Sequence, residues 1–511
     1  MSGMNPFQSC SLEFRKAKGK HTWLLFLALL GINMAYLFLS MRQTDTKMLS
    51  SAWEQTLFSI PLINTLFLSV VMAILSSGAY DIEHKGNTWN LLQTMQSRQS
   101  IFLGKTLYGL IWLILFGALQ GIAMIAVSKY LGFIGVLPIS KIIMAVFSEI
   151  ISGMVVYQIG CLLALLFPSQ FTALSINLGG TFAGFFLMFV TDRPATPWSL
   201  LVALRVVDMK YQESDASVSY EWFAAPASSW IIAFLFLAIA LILGMCIYTH
   251  IEEGTFSFFH DSQVRSVDTR TSLPAELIKL KRSPVWIAFF IIPIISAVIG
   301  TFNFMANQGV LSFTWESLWT QHSLFLGIFF LPPLIGILCS LLWRMEHTGT
   351  NWNLTLSLES PWKLVKDKLF VASGMSVLCI LWIGILYIIC GIGIRLPSAP
   401  PAVFYECMLC GAISCVAISA VQIFLSLVIH SFAIPIGIAL GGSVIGSALV
   451  VKGWVYALPY AMLQTGLKST TMEWDTNLGG FLIATLTYIL LFYLLSVLYL
   501  KKVQFTRDYT G

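Results

Sequence analysis

Apolar and polar positions alternate along this chain on the scale of whole helices. Uninterrupted apolar runs of about the 20 residues needed to cross a bilayer fall near 23–41, 57–79, 101–127, 142–167, 171–190 and 230–249. A polar stretch from Ile251 to Ser283 follows, and the runs resume near 284–305, 323–343, 369–394, 403–429, 432–451 and 479–500. The pattern predicts an all-α polytopic membrane protein of twelve transmembrane helices in two sets of six. Its expected divisions are a first repeat over 1–250, a linker with an amphipathic helix over 251–283, and a second repeat over 284–511.

The polar breaks between runs carry the repeat most clearly. Glu83-His84-Lys85-Gly86-Asn87-Thr88-Trp89-Asn90-Leu91 returns 263 residues later as Glu346-His347-Thr348-Gly349-Thr350-Asn351-Trp352-Asn353-Leu354, with six of nine positions identical. Each copy reads as a helix end at the glycine and a restart at Asn or Thr, whose side chains accept the free N–H groups of a new first turn. The same spacing relates Glu13, Lys16, Lys18 and Trp23 to Glu276, Lys279, Lys281 and Trp286. Gly180 and Gly184 recur at a spacing of 262 as Gly442 and Gly446, so one tandem duplication runs through most of the chain.

Composition agrees, with 57% hydrophobic and 10% charged residues and a mean hydropathy of +0.82, where a soluble domain has about a quarter of its residues charged. The net charge of +5 does not indicate a nucleic-acid partner, because the basic residues flank spans and so report topology. Nineteen Lys and Arg fall on the side of the N-terminus and ten on the other. This distribution places both termini in the cytoplasm of a multi-pass protein and makes the two repeats parallel, not inverted. Arg15 to Lys20 and Lys279 to Arg282 read as basic amphipathic helices on the inner leaflet. Most of the nine cysteines lie inside spans and act as small hydrophobes, and no cleavable signal follows the first run.

Catalytic chemistry is not indicated, and no cofactor is expected in this chain. Gly104-Lys105-Thr106 resembles the end of a phosphate loop but lacks the first glycine, with Gln99 in its place. Cys407 and Cys410 stand inside a span with no second ligand pair. Intramembrane polar groups are few. Glu149 and Glu406, each early in a fourth span, read as repeat equivalents on a substrate path with Asn64, Gln158 and Gln422. The competing reading of the amides is helix-to-helix hydrogen bonding, which also covers Asn33 and Asn177. Gly180, Gly184, Gly442 and Gly446 form small-residue faces expected to bring the fifth spans of the two halves together. The long fifth-to-sixth connections, 191–229 and 452–478, are rich in apolar residues and Trp and are expected to dip into the outer interface.

Three features together resemble a known family: the basic N-terminal segment, the Glu83 to Lys105 stretch with Lys368 answering Lys105, and the six-span layout with its long outer connection. The family is the membrane permeases of type-2 ABC exporters, and within it the permease subunits of bacterial lantibiotic-immunity transporters. Two such units look fused here, and the second copy departs from the pattern at Leu356 to Trp362. The resemblance implies a non-enzymatic permease of the bacterial cytoplasmic membrane, working with two copies of a separate ABC ATPase that binds ATP and Mg. The expected substrate is an antimicrobial peptide or another amphipathic compound. It further implies that Glu83, His84, Gly86, Trp89 and Asn90, with Glu346, His347, Gly349, Trp352 and Asn353, form coupling helices seated in the ATPase. The turns Pro168 to Gln170 and His430 to Ser431 would be second contacts. A secondary transporter with two parallel six-helix halves is the alternative.

Overall fold

The computed structural model describes residues 5–18, 22–41, 51–86, 96–167, 170–187, 196–212, 217–250, 276–277, 280, 285–308, 311–347, 355–356, 359–432, 434–469 and 477–508. The chain divides into two compact units, Met1–Gln263 and Val264–Gly511.

In the first unit a short helix, α1 (Pro6–Lys16), precedes six long helices. These are α2 (Trp23–Met41), α3 (Ala52–Gly86), α4 (Arg98–Tyr130), α5 (Ile139–Leu166), α6 (Gln170–Leu187) and α8 (Ala227–His250). Between the last two lie α7 (Leu200–Ala203) and an antiparallel hairpin of β1 (Val207–Gln212) and β2 (Ser217–Trp222), in which Val207 pairs with Trp222 and Met209 with Tyr220. The second unit contains α9 (Val285–Ala306), then α10 (Trp315–Phe325), a π turn (Leu326–Phe330) and α11 (Leu331–His347), which run on as one span. It continues with α12 (Pro361–Gly393), α13 (Val403–Val428), α14 (Ile434–Val451), α15 (Pro459–Gly466) and α16 (Leu478–Asp508). Each of the twelve apolar runs is thus a helix. Among the described residues ten helices are long and apolar enough to cross a membrane, and Trp23–Phe38 and Ala173–Leu187 are shorter apolar helices.

Local sequence accounts for the starts. Asn5 and Gln8 cap α1 reciprocally, with the Asn5 N–H donating to Gln8 Oε1 at 3.1 Å. Ser97 and Ser360, in repeat register, cap α4 and α12 by accepting from the Ser100 and Lys363 N–H groups. The second span is central in each unit. In α3 and in the α10–α11 span, 83% of the apolar window is buried, against 17% in α8 and 22% in α16, whose apolar faces remain for lipid.

Both fifth-to-sixth connections turn back onto their own unit. In the second unit Tyr460, Ala461, Met462 and Leu463 of α15 are all buried. In the first, Trp198 lies on α6 and donates from Nε1 to Asn177 Oδ1 at 2.6 Å. The hairpin packs its Val207 end on a cluster of Leu37, Trp53, Leu57 and Met124. It was not expected from the hydropathy pattern.

The paired glycines receive these connections. A Cβ at Gly184 would stand 2.9 Å from Trp198, one at Gly442 2.6 Å from the Tyr460 ring, and one at Gly446 2.9 Å from the Ala461 nitrogen; Gly180 faces the Trp198 indole. Each small-residue face is thus met from within its own unit, by the connection that follows the span. Omitting side chains admits a close backbone approach where burying apolar area in lipid gains little. Gly446→Leu is expected to lower stability by about 1–3 kcal/mol through overpacking. Gly179→Ala, which meets open space, should leave stability unchanged. Thermal unfolding of the purified variants checks both.

Candidate functional site

Three elements converge on one lysine in each unit. In the first, Lys105 stands in the second turn of α4 and is buried, and its stem carries the ammonium to the end of α3. Nζ donates to the Ala79 carbonyl at 2.7 Å and meets Glu83 Oε1 at 2.8 Å and Glu13 Oε2 at 3.3 Å. The Tyr80 ring lies beneath the ammonium, its centroid 4.6 Å away. Lys16, one turn from Glu13 on α1, bridges the same carboxylates at 2.7 and 3.0 Å. Two ammoniums and two carboxylates leave the cluster neutral, and the three N–H groups of Lys105 match three acceptors.

The second unit repeats the geometry at one spacing of 263. Lys368 donates to the Leu342 carbonyl at 2.6 Å, to Glu346 at 2.9 Å and to Glu276 at 3.1 and 3.2 Å, and lies over the Trp343 ring at 4.6 Å. The counterpart of Lys16, Lys279, lies outside the described residues. The lysine of Gly104-Lys105-Thr106 is thus committed to carboxylates. Gly104 serves packing instead, because a Cβ there would stand 2.9 Å from the Cys10 nitrogen, and its absence lets α1 cross α4 closely. Ser9 adds bonds to Gln96 and Ser100 at 2.7 and 2.8 Å.

Burial pushes the Glu83 carboxyl up, but the charges of Lys105 and then Lys16, with their hydrogen bonds, outweigh it and hold Glu83 below its ordinary value. Its stabilising contribution is present above that ordinary value, about pH 4.3, and is lost as pH falls through the depressed one.

The segments expected to couple to a partner begin at this cluster. His84 and Gly86 form the last turn of α3, which ends at Gly86, while α11 ends at His347. Trp89, Asn90, Gly349, Trp352 and Asn353 lie outside the described residues. In the second unit His347 is held against the end of the fourth span. Its Nε2 lies 2.9 Å from the Ser426 carbonyl, and its ring packs on His430 at 4.5 Å. Trp343 Nε1 donates to the Ile423 carbonyl at 3.0 Å. The end of the second span and the turn after the fourth, read as two separate contacts, are thus joined.

The remaining candidates separate. Asn64 and Glu149 meet in a buried cluster with Asn33 and Gln120. Gln158 donates to Thr106 at 3.1 Å and Gln422 to the Tyr460 hydroxyl at 2.7 Å, as helix-to-helix bonds. Glu406 is corrected: it is exposed in the first turn of α13, whereas Glu149 is buried ten residues into α5, so the two are not equivalent. Sequence reasoning passed over Gln120, and it noted Glu13, Glu276, Lys105 and Lys368 without joining them. The retained charge at matched positions was the available signal.

A chain of two apolar helix bundles, each closed by the same buried ion cluster, is a polytopic membrane protein built by duplication. Comparison with known families places residues 10–184 and again 272–446 among the ABC-2 family transporter proteins. Together the matches cover more than half of the chain, which belongs to this family and is a permease subunit of the ABC transporter class. No curated protein matches it.

Lys105→Met leaves two buried carboxylates with one remaining cation, and removing one partner of a buried ion pair costs about 3–5 kcal/mol. Chemical denaturation is expected to show a loss of that size, largely recovered when Glu13→Gln and Glu83→Gln are added. Burial, the largest influence, holds His347 below the ordinary histidine value, although the bond to Ser426 opposes it. Its neutral form therefore supports the fold above about pH 6.5, and that support declines as pH falls below it. Wild type should lose thermal stability across this window more steeply than His347→Phe.

Proposed function

We propose that this chain is the membrane permease of an ATP-driven exporter that moves an amphipathic compound, an antimicrobial peptide in the first instance, out of the membrane or cell. The reading assigns both termini to the cytoplasm and one ATPase copy to each unit. ATP and Mg are bound in that partner. A lantibiotic-immunity role is the specific form proposed. Family membership supports the ABC reading over a secondary transporter.

One observation carries the coupling part of this proposal. The same lysine that fixes the last turn of the second span also fixes the third span and, through Glu13 or Glu276, the segment before the first. A force on the Glu-His-Gly-Trp-Asn segment therefore reaches three elements through buried ion-pair contacts of about 3 Å. Two such assemblies, in register, suit two identical ATPases. In this scheme ATP shifts the permease between states only through the ATPases' differential affinity for them.

Trp89 and Trp352 are the proposed aromatic anchors in the ATPase clefts. Truncating an interface anchor can cost about 2 kcal/mol, roughly thirtyfold in affinity. Co-expression of the Trp89→Ala, Trp352→Ala double variant with the partner ATPase is expected to lose co-purification, or to retain it with hydrolysis uncoupled from transport. Unchanged binding and unchanged substrate-stimulated hydrolysis would contradict the assignment.

A further inference from the structure

The two units share the ion cluster but differ deeper in the bundle. In the first, four spans each contribute one polar side chain to an enclosed site: Asn33, Asn64, Gln120 and Glu149, none more than 4% exposed. Asn33 Nδ2 donates to Asn64 Oδ1 at 2.9 Å and to Gln120 Oε1 at 3.0 Å. Asn64 Nδ2 donates to Gln120 Oε1 and to Glu149 Oε1, both at 2.9 Å. Gln120 Nε2 donates to both carboxylate oxygens at 2.9 Å. Each primary amide has two N–H groups, so all the amide hydrogens are engaged and half of them end on Glu149. One acceptor, Asn33 Oδ1, is buried with no donor among the described residues.

No Lys, Arg or His is paired with Glu149 among the described residues. The helices packed on it offer it amides only. Glu54, Lys129 and Lys141 lie in the terminal turns of α3, α4 and α5, and Arg205 pairs with Asp208 beyond α7. Glu83 and Lys105 belong to the ion cluster. α6 has no charged residue, and the titratable groups of α8, Cys246, Tyr248 and His250, lie in its last turns.

The scaffold does not require this charge. At the repeat spacing, Asn33, Asn64 and Gln120 correspond to Ser296, Gly327 and Ile383. In the second unit Leu467 fills the space: a Cβ at Gly327 would stand 3.3 Å from its Cδ1, and one at Gly411 2.5 Å from its Cδ2. The second bundle thus packs a leucine at these positions and carries no counterpart of the three amides, and a charge in a membrane interior is costly unless neutralised. The site is enclosed, so the positive charge that fits it is the smallest one.

We propose that the Asn33, Asn64, Gln120 and Glu149 cluster is a proton-binding site, at which Glu149 takes up one proton from water and returns it when the site opens. One O–H bond forms on the carboxylate, taking the site from −1 to 0. Its hydrogen needs an acceptor, which Gln120 supplies by turning its amide to present Oε1, and the unused Asn33 Oδ1 is available to the reoriented N–H groups. Both charge states then have a hydrogen-bonded arrangement, the condition for reversible exchange. A motion that parts these four helices changes the donors around the carboxylate. Proton binding and conformation are therefore linked, each shifting the other.

The experiment is a pH titration of the full chain in lipid nanodiscs by infrared spectroscopy, following the C=O stretch of protonated carboxyl groups. The wild type is expected to show a band that titrates and is lost in Glu149→Gln, which keeps the side-chain shape without the acid. Gln120→Leu, which removes the amide bonded to both oxygens, should move the midpoint at least tenfold in proton concentration. No band assignable to Glu149 in the wild type-minus-variant difference, a band that never titrates, or a midpoint unmoved in Gln120→Leu would overturn the proposal.

Discussion

A lysine ammonium buried at the end of a membrane helix is tolerated only when its hydrogens meet acceptors and its charge meets an opposite one. Lys105 and Lys368 satisfy both conditions in the same way, with a carbonyl one turn before the second span's terminal glutamate and a carboxylate from the preceding amphipathic segment. Much else follows. Gly104 must lack a side chain so that α1 can lie close to α4, and Ser97 and Ser360 must start the third span where its second turn reaches the cluster. Because nothing apolar drives helices together in lipid, a few such polar contacts and close backbone approaches carry the specificity of the bundle.

Duplication preserved this end of the unit and let the rest diverge. The first unit has a carboxylate among three amides; in the second, Leu467 packs at Gly327 and Gly411. The ion cluster therefore answers a demand common to both units, and the polar cluster a demand on one alone.

Most spans were legible because they are apolar runs of bilayer length, and the tandem repeat because charged residues recur at one spacing. Convergence of Glu276 and Glu346 on Lys368 was not, since they lie 92 and 22 residues from it and only the folded path brings them together. Glu406 was misread because an acid near a span start looks alike in hydropathy whether it occupies the exposed first turn or lies three turns in. At the glycine pairs the close approaches come from Trp198 and Tyr460, in connections whose return onto the bundle has no periodic signal. The hairpin strands, Val207–Gln212 and Ser217–Trp222, are only six residues each, too short to stand out in a pattern of helix-length apolar runs.

The central claim is that the lysine-centred cluster, more than the apolar face of α1, holds that helix to the third span. Hydrogen exchange of the α1 amides in the full chain tests it directly, comparing wild type with Lys105→Met. Loss of about 3–5 kcal/mol of local stability predicts exchange in Pro6–Lys16 faster by roughly a hundredfold or more, with the core of α3 still protected. Unchanged α1 exchange in a variant that otherwise folds would contradict the account.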